Sequence, residues 1–383
     1  MSRAKLGEVC TVITDGSHNP PKGIEKSEYL MLSSKNVHDD CITYDEPRYL
    51  SAVEYEQENK RTNVMTGDVL LTIVGTVGRC AVVPENCGYL ALQRSVAVLK
   101  PRKDICRSRY LMYALISKCA FFEAEARGVA QKGIYLKQLA QIEIPIPNLQ
   151  KQDELICLLD KVKSVIFARK QQLTELDNLV KARFVEMFGA ISASKCTKQI
   201  KDYAEVLGGY AFKSDLFCAD DIPVIRISNI NNGDVELDYS ICFDKLFWEQ
   251  NKRFRAEQND ILMAMSGATT GKAGIYKDDK PALINQRVAC IRAKNGIACP
   301  MFLFVTTQLE WMYDLIQETS AGCAQPNISG KQIENMPVPD ATYEQQKMFA
   351  AFVEQVDKSK LAVKQSLEKL ETLKKSLMQE YFG

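Results

Sequence analysis

The chain has only two histidines, His18 and His38, among 383 residues. It has no H-E-x-x-H helix, no G-x-S-x-G elbow and no Cys/His pair, which excludes the common zinc-protease, serine-hydrolase and zinc-finger arrangements. Net charge is also scarce: 49 basic residues stand against 48 acidic ones. That excludes a supercharged nucleic-acid coat but not DNA binding, which depends on local charge. No apolar run approaches the ~20 residues needed to cross a bilayer, so no membrane partner is expected. Met1–Val12 has no long apolar core and no small-residue cleavage site, so no signal peptide is expected and the chain reads as cytoplasmic. The thirteen cysteines never fall as C-x-x-C, and an odd number cannot pair fully within the chain. They read as small buried hydrophobes in a reducing compartment, with no metal site. What is present is an ordinary globular composition, 46% apolar and 25% charged, long enough for two or three domains.

The sequence is written twice. Gly67-Asp68-Val69-Leu70-Leu71-Thr72 with Gly75-Thr76-Val77-Gly78 returns as Asn259-Asp260-Ile261-Leu262-Met263-Ala264 with Gly267-Ala268-Thr269-Thr270-Gly271. Gln93-Arg94 returns as Gln286-Arg287, and Gly128-Val129-Ala130-Gln131 as Gly322-Cys323-Ala324-Gln325. Ile144-Pro145-Ile146-Pro147 returns as Met336-Pro337-Val338-Pro339, and Met187-Phe188-Gly189 as Tyr381-Phe382-Gly383. The offset is 192 at Pro145/Pro337 and 194 at Gly189/Gly383, a near-constant register that marks a duplication.

Each copy opens with a turn-rich part whose short apolar runs read as buried strands: Val69–Val74 and Ile261–Met265, Tyr29–Leu32 and Val224–Ile227, Val96–Leu99 and Val288–Ile291. One helix interrupts each part, over Ser108–Glu125 and Met301–Thr319. The fold class is α+β. Each copy then closes with a long helix, Lys151–Phe188 and Tyr343–Phe382, free of internal Gly and Pro and starting just after a P-x-P pair. Apolar residues at steps of three, four and seven give each helix one seam. Each seam needs a partner of similar length, and the other copy's helix supplies it as an antiparallel coiled coil. Such a pair would hold two units at the ends of a rod. The expected division is residues 1–148 and 191–340 as globular domains, with 149–190 and 341–383 as helices.

Three motifs suggest chemistry and fall short of it. Gly267-Ala268-Thr269-Thr270-Gly271-Lys272 has one residue too few for a nucleotide loop, and Ala273 stands where a magnesium-holding hydroxyl belongs. A glycine turn offering amides and one cation to a phosphate is the alternative. Asn19-Pro20-Pro21-Lys22 has Lys where an adenine methyltransferase loop has an aromatic, and reads as a rigid turn. Asp68 and Asp260 each precede a buried strand and read as local caps rather than a catalytic pair.

A polar, cation-bearing set then remains in each copy. The first has Lys22, Ser34, Lys35, Asn36, Arg79, Gln93, Arg94, Gln131 and Lys132. The second has Arg226, Asn229, Thr269, Thr270, Lys272, Gln286, Arg287, Gln325, Asn327 and Lys331. In DNA recognition, Arg reads guanine and Asn or Gln reads adenine, while Lys, Ser and Thr hold phosphate.

The order of these elements resembles the specificity subunit of Type I restriction-modification systems over essentially the whole chain. The residues that carry the resemblance are Leu6-Gly7-Glu8-Val9, Asp15-Gly16-Ser17-His18, Gly67-Asp68-Val69-Leu70 and its repeat, Gly75 and Gly267, Gln93-Arg94 and Gln286-Arg287. The two P-x-P segments and Gln152 and Gln345-Gln346 at the helix starts complete them. Asn259 departs from the glycine at Gly67, which Asn tolerates in a turn. The resemblance implies two target-recognition domains, each reading half of a bipartite, asymmetric double-stranded DNA site, with the paired helices setting the unread spacer. It implies a non-catalytic chain that docks two methyltransferase subunits and restriction/translocase subunits. S-adenosylmethionine, ATP and magnesium would serve those partners, with no cofactor in this chain. The competing reading is a coiled-coil scaffold that binds no DNA.

Overall fold

The computed structural model describes residues 2–127, 133–189, 192–231, 233–320 and 326–383. The chain divides into two compact units, Met1–Arg169 with Ser366–Gly383, and Lys170–Gln365. Both are α+β and repeat one topology. In the first unit an antiparallel sheet runs in the order Cys10–Asp15, Val96–Pro101, Val69–Thr72, Cys80–Val82. In the second the order is Ala204–Gly208, Val288–Ala293, Ile261–Ala264, Ala273–Ile275, extended by two short strands at Asp234–Val235 and Ile230–Asn231. A smaller three-stranded sheet accompanies each. It contains the parallel pairs Tyr29–Leu32/Tyr89–Leu92 and Ile222–Ile225/Leu283–Ile284.

The central strands are buried at every position because each sheet lies between two cores. Val69 and Leu71 face the helical core, whereas Leu70 faces the core that contains Leu90, Leu92, Val96 and Val98. Ile261 and Met263 are likewise separated from Leu262 and Ala264. Alternate side chains leave a strand on opposite faces, so two apolar layers require an unbroken apolar run.

Several elements end earlier than their apolar patterns. The strands expected to reach Val74 and Met265 stop at Thr72 and Ala264. There the chain enters the glycine turns, where Gly78 N donates to Thr72 O and Gly271 N to Ala264 O, 2.9 Å each. The strand expected over Val224–Ile227 is Ile222–Ile225, because Arg226 N donates instead to Asn229 Oδ1 at 2.9 Å. The helices expected as single stretches are each broken in two, Ser108–Ser117 and Cys119–Arg127, Pro300–Thr307 and Glu310–Ser320. A tight last turn, Lys118 N to Leu115 O and Gln308 N to Val305 O, 3.0 Å each, redirects the chain. The second helix then packs on the glycine turn so closely that a Cβ on Gly78 would lie 2.8 Å from Cys119 Sγ, and one on Gly271 2.8 Å from Ile316 Cγ2.

The long helices are Leu149–Phe188 and Tyr343–Phe382, 40 residues each. Within the second unit they run antiparallel: Asp177 meets Lys360 at 2.6 Å, Arg183 lies over Phe352, and Phe184 meets Phe349 at 5.2 Å between ring centres. Within the first unit the start of one meets the end of the other, with Lys151 over Tyr381 and buried Leu155 and Leu159 sharing a core with Phe382. The Phe-Gly repeat has a packing role. Phe188 reaches Phe302 at 4.9 Å, and Phe382 reaches Tyr110, the matching helical residue of the other copy, at 5.2 Å.

A buried glutamine pins the start of each long helix. Gln152 Oε1 accepts from Arg107 N at 2.9 Å, and its Nε2 donates to the carbonyls of Ile105 and Pro147 at 2.8 and 2.9 Å. Gln346 repeats this with Cys299 N at 2.8 Å, Ala341 O at 3.0 Å and Ile297 O at 3.4 Å. Both side chains are fully buried. Replacing either by Leu keeps the volume but orphans one N–H and two carbonyls. Each such loss costs about 1–3 kcal/mol, so the thermal transition of the affected unit should drop measurably. An unchanged transition in both variants would remove the clamp from the account.

Buried cysteines are found at Cys10, Cys80, Cys106, Cys242 and Cys290, and burial pushes the Cys10 and Cys106 thiols up to about 12. Cys41, Cys157 and Cys218 depart from the expectation and are exposed. Among the described residues no helix is long and apolar enough to cross a membrane.

Candidate nucleic-acid interface

Two backbone features recur in each unit and present the polar residues. The first is a four-residue turn between the parallel strand and the sheet. It is closed by Val96 N to Gln93 O at 3.0 Å in the first unit and by Val288 N to Asn285 O at 2.9 Å in the second. A glycine backs each turn: a Cβ on Gly16 would lie 2.1 Å from Leu92 O, and one on Gly209 2.2 Å from Asn285 O. These bonds correct the expected match of Gln93-Arg94 with Gln286-Arg287. Ile73 N donates to Ser95 O where Met265 N donates to Arg287 O. Arg94 is therefore the counterpart of Gln286, and Arg287 that of Ser95; the turn repeats, but the arginine moves one place along it.

The second feature is the glycine turn, Gly75–Gly78 or Gly267–Gly271, all four glycines at positive φ. Arg79 and Lys272 occupy matching places, since Thr72 N donates to Arg79 O and Ala264 N to Lys272 O, 2.9 Å each. Ser266 bridges to Asn327, and Gly267 N donates to Pro326 O, so Asn327 adjoins the start of the glycine turn. The side-chain oxygens of Ser266 and Thr269 are buried there without a hydrogen-bond partner, which corrects Thr269 as an expected contact because its hydroxyl is closed to DNA.

The first unit gathers Lys22, Lys35 and Gln93 around one concavity of about 460 Å³. Arg48, which the sequence does not single out, also lines it and donates from one guanidinium nitrogen to the carbonyls of Pro20 and Pro21. The Asn-Pro-Pro-Lys segment, expected as a turn, is an extended loop braced by Arg48. Arg94 faces a separate cavity of about 820 Å³, with His18, Arg61, Tyr135 and Lys137. Asp15 sits beneath, 2.8 Å from His18 Nε2 and 2.6 Å from Arg61; no local signal announces a partner 46 residues away. Ser34 donates its backbone N–H to Ser95 Oγ at 3.0 Å. Arg79 is half-buried against His38 Nδ1 at 3.4 Å. Arg226 is half-buried, 3.4 Å from Asp238. Gln286, Arg287, Asn327 and Lys331 are exposed, with Lys331 apart from the rest beside Leu315 and Met336. Lys22, Lys35, Arg94, Lys272 and Arg287 are exposed and make no ion pair among the described residues. Gln131, Lys132 and Gln325 lie outside the described residues.

Three further expected contacts are corrected. Asn36 and Asn229 are buried, and each amide is consumed by its own loop. Their oxygens accept from Ser33 N and Arg226 N, and their nitrogens donate to Asp45 O and Glu236 O. Thr270 is buried with its hydroxyl on Gly267 O and Pro326 O. None of the three has a free polar edge for a base.

Asp68 and Asp260 cap their turns as expected, accepting from Met65 N at 2.8 Å and Glu257 N at 2.7 Å. Each also holds a cation of the neighbouring strand, Lys100 or Arg292. The bonds from Asp260 raise the Arg292 guanidinium above its ordinary range despite burial. The carboxylates are thus committed to structure. In the first unit Arg109 clasps both Asp40 and Asp160 of the long helix, whereas Met301 and Val305 replace Arg109 and Tyr113 in the second. Among the described residues no cluster of three or more His, Cys, Asp or Glu side chains could hold a metal ion.

The model of the Type I restriction modification DNA specificity domain matches residues 2–178 and again 195–373. The Type I restriction enzyme MjaVIII specificity subunit of Methanocaldococcus jannaschii is 24% identical over 356 residues, covering 84% of this chain and 79% of that one. The EcoBI specificity subunit of Escherichia coli is 24% identical over 324 residues, covering 76% and 68%. Among solved structures, a chain from a study of assembly and conformational transition of the type I R-M system aligns over 100% of this chain and 97% of its own. Its TM-score is 0.60 at 14% identity. The type I restriction-modification S subunit from M. genitalium aligns over 100% and 96%, with TM-score 0.57 at 14% identity. With both halves of its length matched, the chain belongs to the Type I restriction modification DNA specificity domain family and carries that domain twice.

Proposed function

We propose that this chain is the non-catalytic specificity subunit of a type I restriction-modification complex and reads a bipartite, asymmetric DNA site, one half with each domain. The observation that carries the proposal is one framework holding different side chains at matching places. Arg94 corresponds to Gln286, Ser95 to Arg287, and Arg79 to Lys272. A single framework with two sets of reading groups suits two unlike half-sites. Residues 1–148 and 191–340 are the recognition domains, and 149–190 and 341–383 the helices that set the spacer and offer the docking surface. The partners are two methyltransferase subunits, which use S-adenosylmethionine, and restriction/translocase subunits, which use ATP and magnesium, in the cytoplasm.

The proposed DNA contacts are Lys22, Ser34, Lys35, Arg79, Gln93 and Arg94 in the first domain. In the second they are Arg226, Lys272, Gln286, Arg287, Asn327 and Lys331, with Gln131, Lys132 and Gln325 retained from the sequence. Lys and Arg side chains without an internal partner are free to neutralise phosphate, and each phosphate contact adds about 0.9 to the slope of log affinity against log salt. Lys272→Ala should weaken DNA binding and flatten that slope by about one contact's worth, with little change in sequence preference. Replacing Lys22 and Lys35 together should weaken contact with only one half of the site, seen as lost protection of that half. The test is co-expression with the cognate methyltransferase and mapping of modified adenines in the host genome. A stable complex that methylates no defined motif would overturn the proposal, and a palindromic motif would overturn its asymmetric form.

A further inference from the structure

The residue after the glycine that backs the turn differs in kind between the units. It is Ser17 in the first and Tyr210 in the second, and the backbone holds both in one place. Ser17 N donates to Leu92 O and Tyr210 N to Ile284 O; their carbonyls accept from Arg94 N and Gln286 N, all at 2.8 Å. Each side chain therefore leaves the backbone beside the first central residue of the polar turn.

Tyr210 is held rigidly. Its ring centre lies 4.8 Å from Phe247, 5.0 Å from Phe212 and 5.2 Å from Phe254, yet 38% of the residue remains exposed. The small core beneath closes without it: Phe212, Ile222, Val224 and Leu283 are its buried members. Apart from its hydroxyl, the ring is thus a partly exposed apolar face, packed in place, on the residue whose carbonyl accepts from Gln286 N. A pre-ordered aromatic loses little entropy on contact. In the major groove an apolar side chain distinguishes bases through the C5-methyl group of thymine, whereas a hydroxyl such as that of Ser17 pairs with hydrogen-bonding edges.

We infer that Tyr210 is a base-reading residue of the second domain and that its ring takes the methyl group of a thymine in that half-site. The inference rests on the DNA-reading function proposed above. The experiment uses the chain in complex with its cognate methyltransferase and compares wild type, Tyr210→Ser and Tyr210→Phe. The serine variant should relax one position of the methylated motif, a T·A pair in the half that the Lys22/Lys35 replacement leaves intact. The phenylalanine variant should keep the motif. Replacing that thymine by deoxyuridine in a synthetic duplex should weaken binding of wild type and Tyr210→Phe about fourfold, the worth of one buried methyl group, and leave Tyr210→Ser unaffected. An unchanged motif in Tyr210→Ser, or a change in both halves, overturns the inference while leaving the two-domain reading in place. If Tyr210→Ser does not assemble, scanning deoxyuridine through that half-site with wild type decides, and indifference at every thymine overturns it. A wild-type complex without sequence-specific retention overturns the reading beneath and the inference together.

Discussion

Phe382→Ala should destabilise the first unit by about 3–5 kcal/mol, the cost of deleting a large ring from a closed core. Phe382 is 1% exposed, and its ring lies 5.2 Å from that of Tyr110, itself fully buried. Leu155 and Leu159 occupy the same core. Tyr110, Leu155 and Leu159 all lie far from it in sequence, so the expected loss is diagnostic of the tertiary role. Hydrogen exchange should show early opening of residues 149–169 and 366–383. Phe188→Ala removes the corresponding ring from the second unit, where it is only partly buried, and should cost less. A loss below about 1 kcal/mol for Phe382→Ala, far under the range for buried rings, would mean that the closing helix does not complete the first unit.

Gly209→Ala and Gly16→Ala should each cost about 3 kcal/mol or more, the upper range for overpacking. The added Cβ of Gly209→Ala meets Asn285 O at 2.2 Å and Ile284 O at 2.4 Å, and that of Gly16→Ala meets Leu92 O at 2.1 Å. These are backbone atoms held by strand pairing, so no side chain can swing aside. Relief requires the glycine segment to part from the turn, breaking Tyr210 N to Ile284 O or Ser17 N to Leu92 O. DNA recognition should then fail in one half-site only, according to which glycine is replaced. Gly208 is the internal control. Nothing lies within 4 Å of a Cβ there, so Gly208→Ala should leave stability within about 0.5 kcal/mol. Denaturation of the three variants side by side checks this, and equal effects at Gly208 and Gly209 would contradict the close approach.

The contrast between Gly208 and Gly209 shows how far the sequence can be read. Both glycines stand in one Leu-Gly-Gly-Tyr string, and nothing local says which of them touches a backbone 76 residues away. The same limit explains Asn36 and Asn229. Composition offers an amide suited to adenine, but the loop around it buries that amide and bonds both its oxygen and its nitrogen. The Gln-Arg dipeptides look equivalent in a linear comparison. The paired strands set the true correspondence one residue away, because register belongs to a sheet and not to a string.

Much was nonetheless determined by the sequence alone. The duplication, the buried strands at Val69 and Ile261, the capping aspartates and the two long helices follow from periodicity and turn chemistry, and the order of the quoted motifs carries the family resemblance. These are local properties, and a repeat states them twice. Tertiary structure alone decided which cations remain unpaired, which amides are spent, where the broken helices turn, and why Gln152, Gln346 and Phe382 matter. The clamps and the closing ring rest on partners distant in sequence, brought near only when the sheets and helices pack, while the spent amides and helix breaks rest on the exact course of a loop.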